Sequence, residues 1–195
     1  EAVKRAATNA IKVTHLGLGE AKVNKVASTR RILGDDGKIK VVRYTATKDP
    51  AVRAAPEGII DPLLKSISLW NEDQPLVVLT FYATHPQSYY QTGIANPDFP
   101  GMARALRQTT LNGLTHVHFN GAGGDIGAGK YNDGSPENRQ TLAIRMAQGM
   151  AGAYQATKKF PLTAADVEWQ TLPVALPVSR HLNEQNLIEK LENSA

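Results

Sequence analysis

Apolar residues in this chain fall into short runs separated by glycine, proline, asparagine and aspartate, and the period of those runs changes along the sequence. The sharpest run is Leu76 to Ser88, Leu-Val-Val-Leu-Thr-Phe-Tyr-Ala-Thr-His-Pro-Gln-Ser. Apolar, β-branched and aromatic residues bounded by turn formers predict a buried strand, covered on both faces, that hands His85 to a loop. Leu63 to Trp70 alternates as a strand, and the short turn Asn71 to Gln74 predicts that it pairs antiparallel with that central strand. Gly34-Asp35-Asp36-Gly37 before Lys38 to Tyr44 predicts a hairpin-like connection. Ile11 to Val26 alternates loosely around Gly17 and Gly19, which predicts a strand or two, and Thr115 to Asn120 predicts another. Thr45 to Pro62 and Gln87 to Pro100 predict loops.

Helical spacing occurs elsewhere. Ala2 to Ala10 is alanine-rich, and Gly101 to Gln108 places Met102 and Leu106 on one side. Ser135-Pro136-Glu137 combines an N-cap serine, a proline at the first helical position and an acid in the first turn. The recurrence of Leu142, Met146, Met150 and Tyr154, flanked by Ala143, Ala147 and Ala151, predicts a core-facing stripe on a helix reaching about Lys158, whose lysines suit a helix C-terminus. Val167 to Val178 reads as extended, with Pro173 and Pro177 forcing an edge or a departure from the sheet. Leu182 to Leu191 reads as a short amphipathic helix. Together these predict an α/β fold class, a mixed β-sheet layered with helices.

Composition narrows the function. The 195 residues, 42% hydrophobic and 21% charged, suffice for one well-buried core. The net charge of +4 is scattered and not gathered on one helix, so nucleic acid is not implied as a partner. The absence of cysteine excludes disulfides and thiolate metal sites. No apolar run has the length of a membrane span, and the N-terminus lacks a signal-peptide pattern. The chain begins at Glu1 in sequence that reads as mid-helix, so the expectation is a single domain over residues 1–195 or a fragment of a larger one.

His85 is the first candidate for chemistry, because functional groups in open α/β sheets gather at the carboxyl ends of strands. Gly124-Asp125-Ile126-Gly127-Ala128-Gly129-Lys130 fits the phosphate-loop spacing but fails it twice. Tyr131 stands where a magnesium-binding serine or threonine is needed, and the next helix begins only near Pro136, so the loop amides do not lie at its N-terminus. Glycines at this density instead let backbone approach another segment or a ligand closely. His116 and His118 share one strand face and make either a chelating pair or hydrogen-bonded interior histidines. His15 and His181 lack a local partner and read as structural or surface residues. Arg30 and Arg31 read as a solvated pair unless one guanidinium turns inward to clamp an oxyanion. Asn96, Asp98, Asn120 and Asp125 follow candidate strands, as turn formers taken singly and as a site taken together.

Three segments carry a resemblance: Phe-Tyr-Ala-Thr-His-Pro-Gln-Ser (81–88), Asn-Pro-Asp-Phe-Pro-Gly-Met-Ala (96–103) and Phe-Asn-Gly-Ala-Gly-Gly-Asp-Ile (119–126). In order and spacing they resemble the N-terminal catalytic domain of neutral/alkaline non-lysosomal ceramidases. The resemblance extends from about Val3 to near Val167 and covers only part of a family catalytic domain. It implies a zinc-dependent amidase cleaving the N-acyl bond of a ceramide-like lipid, with His85 as a zinc ligand and Arg30 facing the active site. It matches Asn96, Asp98 and Gly101 to a segment beside that site, with Asn120 as a further substrate-side residue and Asp125 orienting a ligand or loop. It also implies peripheral membrane contact for the full-length protein and a secreted or periplasmic location. Two departures stand out. Gly127 occupies the position of the family's active-site serine, and the motifs carrying the other zinc ligands do not occur in this chain. His116 and His118 replace small or apolar family positions, which argues against them as ligands. A ceramidase-like domain that no longer catalyses, and binds a glycan, lipid or protein partner through the glycine loop and Tyr89-Tyr90, is the competing expectation.

Overall fold

The structure, a computed structural model, describes residues 1–88, 93–179 and 182–194, so Tyr89, Tyr90 and His181 lie outside the described residues. The chain divides into two units, residues 1–163 and 164–195.

The first unit opens with helix α1 (Ala2–Thr8), which buries no residue, and strand β1 (His15–Lys22). Short strands β2 (Ser28–Thr29), β3 (Arg31–Leu33) and β4 (Ile39–Val42) follow. β3 and β4 form the hairpin that the Gly34–Gly37 cluster predicts, with Gly37 at φ 72°. The expected long loop 45–62 contains a short helix, α2 (Pro50–Ala54), capped by the Asp49 side chain accepting from the Ala51 and Val52 N–H groups. An aspartate before a proline is an ordinary helix start, and the signal was there in the sequence. Strands β5 (Leu63–Asn71) and β6 (Gln74–Tyr82) then pair antiparallel as expected.

Helix α3 (Asp98–Thr110) starts three residues earlier than the sequence suggests, because Asp98 adopts φ 50° and turns the chain directly into it. Strand β7 (Thr115–Asn120) runs parallel to β6. Strand β8 (Ile126–Gly127) pairs with β2. Helix α4 (Pro136–Gln155) begins at the predicted cap, with the Ser135 hydroxyl accepting from the Asn138 N–H. It ends before the expected Lys158, which lies instead in strand β9 (Lys158–Pro161) and pairs with Leu18 of β1. The five-stranded mixed sheet has the order β7-β6-β5-β1-β9.

The core lies between this sheet and the α3–α4 layer. Leu142, Met146, Met150 and Ala153 from α4 and Phe99 and Ala103 from α3 meet Val23, Val26, Leu64 and Tyr82. The glycines of β1 have a packing cause: a Cβ at Gly19 would stand 2.1 Å from the Ala153 carbonyl oxygen, so only glycine lets α4 lie this close. Tyr154 leaves the buried stripe to stack on Trp70, with ring centroids 6.0 Å apart. The expectation that β6 is covered on both faces is corrected. Its Val78, Thr80 and Tyr82 face the helices, whereas Leu79 and Phe81 point to a face where Leu18, Phe119 and Phe160 are 44%, 45% and 48% exposed.

The second unit has a 3-10 turn at Ala164–Asp166, an extended run with no strand partner among the described residues, and helix α5 (Glu184–Glu192). All its described residues are exposed. Pro173 and Pro177 lack the N–H a ladder would need.

Candidate functional site

The site is built where β6 ends. After Tyr82 the chain turns, and the His85 backbone N–H donates to the Ile126 carbonyl at 3.0 Å. The His85 ring nitrogen Nδ1 lies 2.7 Å from the same oxygen. A carbonyl oxygen only accepts, so Nδ1 carries a proton, and in the neutral ring the lone pair is on Nε2. The glycine loop makes this contact possible by passing tightly over the turn: a Cβ on Gly123 would lie 3.1 Å from the Thr84 carbonyl carbon and 3.4 Å from the His85 nitrogen.

The same loop segment is held along its other edge by β2. Ser28 pairs with Gly127 and Thr29 with Ile126, and the Arg30 N–H donates to the Asp125 carbonyl at 2.7 Å. Segment 125–127 therefore joins His85 to Arg30 through backbone bonds. The Arg30 chain runs beside Gly127, its guanidinium 5.8 Å from the Tyr44 ring centre. Its Nε is buried with no partner among the described residues. Gly127 leaves room there, because a Cβ at that position would meet Thr45 and Arg30 carbons at 3.5 and 3.7 Å, ordinary contact distances.

The Asp125 carboxylate pairs with Arg31 at 3.2 Å in a partly solvated ion pair, an arrangement worth at most about 1 kcal/mol. Asn96 is consumed locally, its Nδ2 donating to the Ile94 carbonyl and its Oδ1 accepting from the Asp98 N–H. Asp98, 7% exposed, is a bridge: its carboxylate accepts from the Ser88 N–H, the Ser88 hydroxyl and the Phe99 N–H. Gly101 has no side chain because Pro97 occupies the space, 2.1 Å from where a Cβ would sit. Asn96, Gly101 and Asn120 nevertheless line one cavity with Arg104 and His118.

Three residues support the site in ways no local pattern in the sequence foretells. Asn132, fully buried, donates to the Thr45 and Ser88 carbonyls and accepts from the Gly134 N–H, tying the His85 loop to the end of the glycine segment. Arg43, also fully buried, donates to the Thr29, Val52, Ala55 and Pro56 carbonyls, and burial pulls its pKa below the ordinary value. Lys130, the lysine of the phosphate-loop pattern, donates to the Arg53, Ala54 and Ala55 carbonyls at the end of α2. Its donors complete a helix C-terminus and do not address a phosphate.

The two strand histidines lie on the helix-facing side of β7. His116 is fully buried with neither ring nitrogen partnered among the described residues, and the Nε2 of His118 is likewise unpartnered. Burial lowers both imidazoles to about 4, helped at His116 by the charges of Arg107, His118 and Arg104. Both are neutral at pH 7. Among the described residues no three His, Cys, Asp or Glu side chains converge as a metal cluster. The donor form of His85 suits one zinc ligand, and this chain brings no second described ligand to it.

The fold and site define an α/β layer protein with a histidine delivered from the sheet onto a glycine-rich loop. No family model and no curated protein sequence matches the chain. Among solved structures it is similar to a ceramidase complexed with C2, at 15% identity and a TM-score of 0.55, over 78% of this chain and 23% of that one. It is also similar to the neutral ceramidase from Pseudomonas aeruginosa, at 16% identity and a TM-score of 0.54, over 79% of this chain and 24% of that one. The fold is thus ceramidase-like, and the chain spans about a quarter of the length of the ceramidase chains it matches.

Proposed function

We propose that this chain is the part of a ceramidase-like, zinc-dependent amide hydrolase that supplies one zinc ligand, His85, and an oxyanion-facing arginine, Arg30. The observation that carries the proposal is the bond from His85 Nδ1 to the Ile126 carbonyl, which orients the ring and, in its neutral form, leaves the Nε2 lone pair for a metal. That is the tautomer and the outer-shell carbonyl partner that metal-bound histidines ordinarily have. Zinc in such a site supplies Lewis acidity, polarising the amide carbonyl and easing the deprotonation of water. The chain's own residues do the rest. His85 is held by two bonds to one carbonyl. Arg30, whose Cγ and Cδ lie beside Gly127, would offer its guanidinium to developing charge on the substrate oxygen. The remaining zinc ligands are expected outside this chain, and a ceramide-like lipid amide at a membrane surface, in a secreted or periplasmic setting, is the proposed substrate.

The test is made on the full-length protein. Zinc content and release of fatty acid from an N-acyl sphingosine are both expected, and both fall at least about a hundredfold in His85→Ala. Undiminished zinc and activity in that variant would overturn the assignment. A second reading, a non-catalytic ceramidase-like domain that binds a glycan, lipid or protein, is favoured by Gly127, which offers no hydroxyl where the resembled family has a serine. Bound lipid amide without turnover would support it.

A further inference from the structure

A cavity of about 340 Å3 opens at the carboxyl ends of β6 and β7, against the first turns of α3, and is lined by Pro86, Asn96, Gly101, Arg104, His118 and Asn120 among others. None of its described lining residues is acidic. Arg104 makes no ion pair or hydrogen bond with any described residue, and the Asn120 side chain is likewise free among them. The histidine wall adds no charge. The Thr80 hydroxyl donates to the Val117 carbonyl, so the His118 Nδ1–H donates to Thr80 Oγ1, and burial, which lowers this imidazole to about 4, leaves it neutral at pH 7.

We propose that this cavity is a binding site for a small monoanionic carboxylate, held by the Arg104 guanidinium and the Asn120 amide. A planar guanidinium matches a carboxylate in geometry and charge, and the end of a parallel strand pair beside a helix is where open α/β sheets take ligands. Phosphate is disfavoured by the state of the helix start. The Asp98 N–H is held by Asn96, the Phe99 N–H by the Asp98 carboxylate and the Gly101 N–H by the Pro97 carbonyl, while Pro100 has none. No backbone donor is left to form an anion nest there, and one guanidinium is matched by one negative charge. The site goes beyond the proposed zinc chemistry and does not require it. Either an acylated amino acid or the free acid released by amide cleavage carries the group it recognises.

The experiment titrates the protein with N-acetylglycine while following the Arg104 Nε–H and Asn120 side-chain NMR signals. Saturable shifts of both are expected, with N-acetylglycinamide and inorganic phosphate each binding at least about tenfold more weakly. Arg104→Gln is expected to abolish saturation, and Arg104→Lys to weaken it. Acetate binding as well as N-acetylglycine identifies the free acid as sufficient; tighter N-acetylglycine identifies the acylated amino acid. The proposal is overturned if the uncharged amide or phosphate binds as well as the acid, or if Arg104→Gln leaves the titration unchanged. The wild-type comparison of acid with amide decides the matter even if a variant does not fold. Because the readout is binding without added zinc, its result is separate from the zinc and activity measurements on His85→Ala.

Discussion

The Asp98 carboxylate accepts from both the backbone N–H of Ser88, at 3.0 Å, and the Ser88 hydroxyl, fastening the loop that follows His85 to the start of α3. Two residues ten apart in sequence thereby anchor the loop that follows the proposed zinc ligand. The carboxylate is buried, so replacing it strands donors that water cannot reach. Asp98→Ala is expected to cost about 3 kcal/mol in urea unfolding, and Ser88→Ala about 1 to 2 kcal/mol. Asp98→Asn, which keeps one acceptor oxygen, should lie between them. Equal stability of Asp98→Ala and wild type would show that the bridge carries no weight.

The neutral interior histidines make stability depend on pH. His116 and His118 titrate near 4 in the fold against an ordinary value of 6.5, so the unfolded chain binds protons first. Their contribution is complete above pH 6.5 and is lost as pH falls toward 4, by roughly 3 kcal/mol for each histidine as an upper bound. Urea midpoints measured between pH 7 and pH 5, above the range of most carboxylates, should fall steadily. In a His116→Gln/His118→Gln variant the slope over that interval should flatten; an unchanged slope assigns it to other groups.

A serine fits where the glycine loop passes Arg30. A Cβ at Gly127 makes only ordinary contacts, the nearest at 3.5 Å, and Gly127 is not among the positive-φ glycines. Gly127→Ser is therefore expected to change unfolding free energy by no more than about 1 kcal/mol. If the site is a ceramidase-like hydrolase, the added hydroxyl beside Arg30 should raise amide hydrolysis in the full-length protein. Loss of more than about 3 kcal/mol would mean that the loop cannot accept even this side chain.

Lys130 is bound to the last carbonyls of α2, and burial lowers its pKa. Lys130→Met should lower stability by about 1 to 2 kcal/mol by releasing that helix end. Neither ATP nor GTP should raise the melting temperature of wild-type protein. A saturable rise with ATP that disappears in Lys130→Met would restore the phosphate-loop interpretation.

Local chemistry was enough to place the elements it governs. The Ser135-Pro136-Glu137 start of α4, the hairpin around Gly37, the antiparallel β5–β6 pair and β7 at Thr115–Asn120 all follow from caps, turn formers and period. The role of His85 as a strand-end group was legible for the same reason. The sequence also placed His116 and His118 on one face, and period two guarantees this in any strand.

Tertiary structure alone decided what those side chains do. The amino-acid order cannot tell that His85 Nδ1 meets the Ile126 carbonyl, forty-one positions away, and so which ring nitrogen stays free. Nor can it tell that Lys130 ends a helix, that Asp125 pairs with Arg31, or that Arg43 and Asn132 are buried scaffolds. Capping, turn chemistry and periodicity act over a few residues, so they are written in the chain. Hydrogen-bond partners, burial and the charge state they impose depend on which distant segments meet, and only the packed sheet and helices bring those segments together.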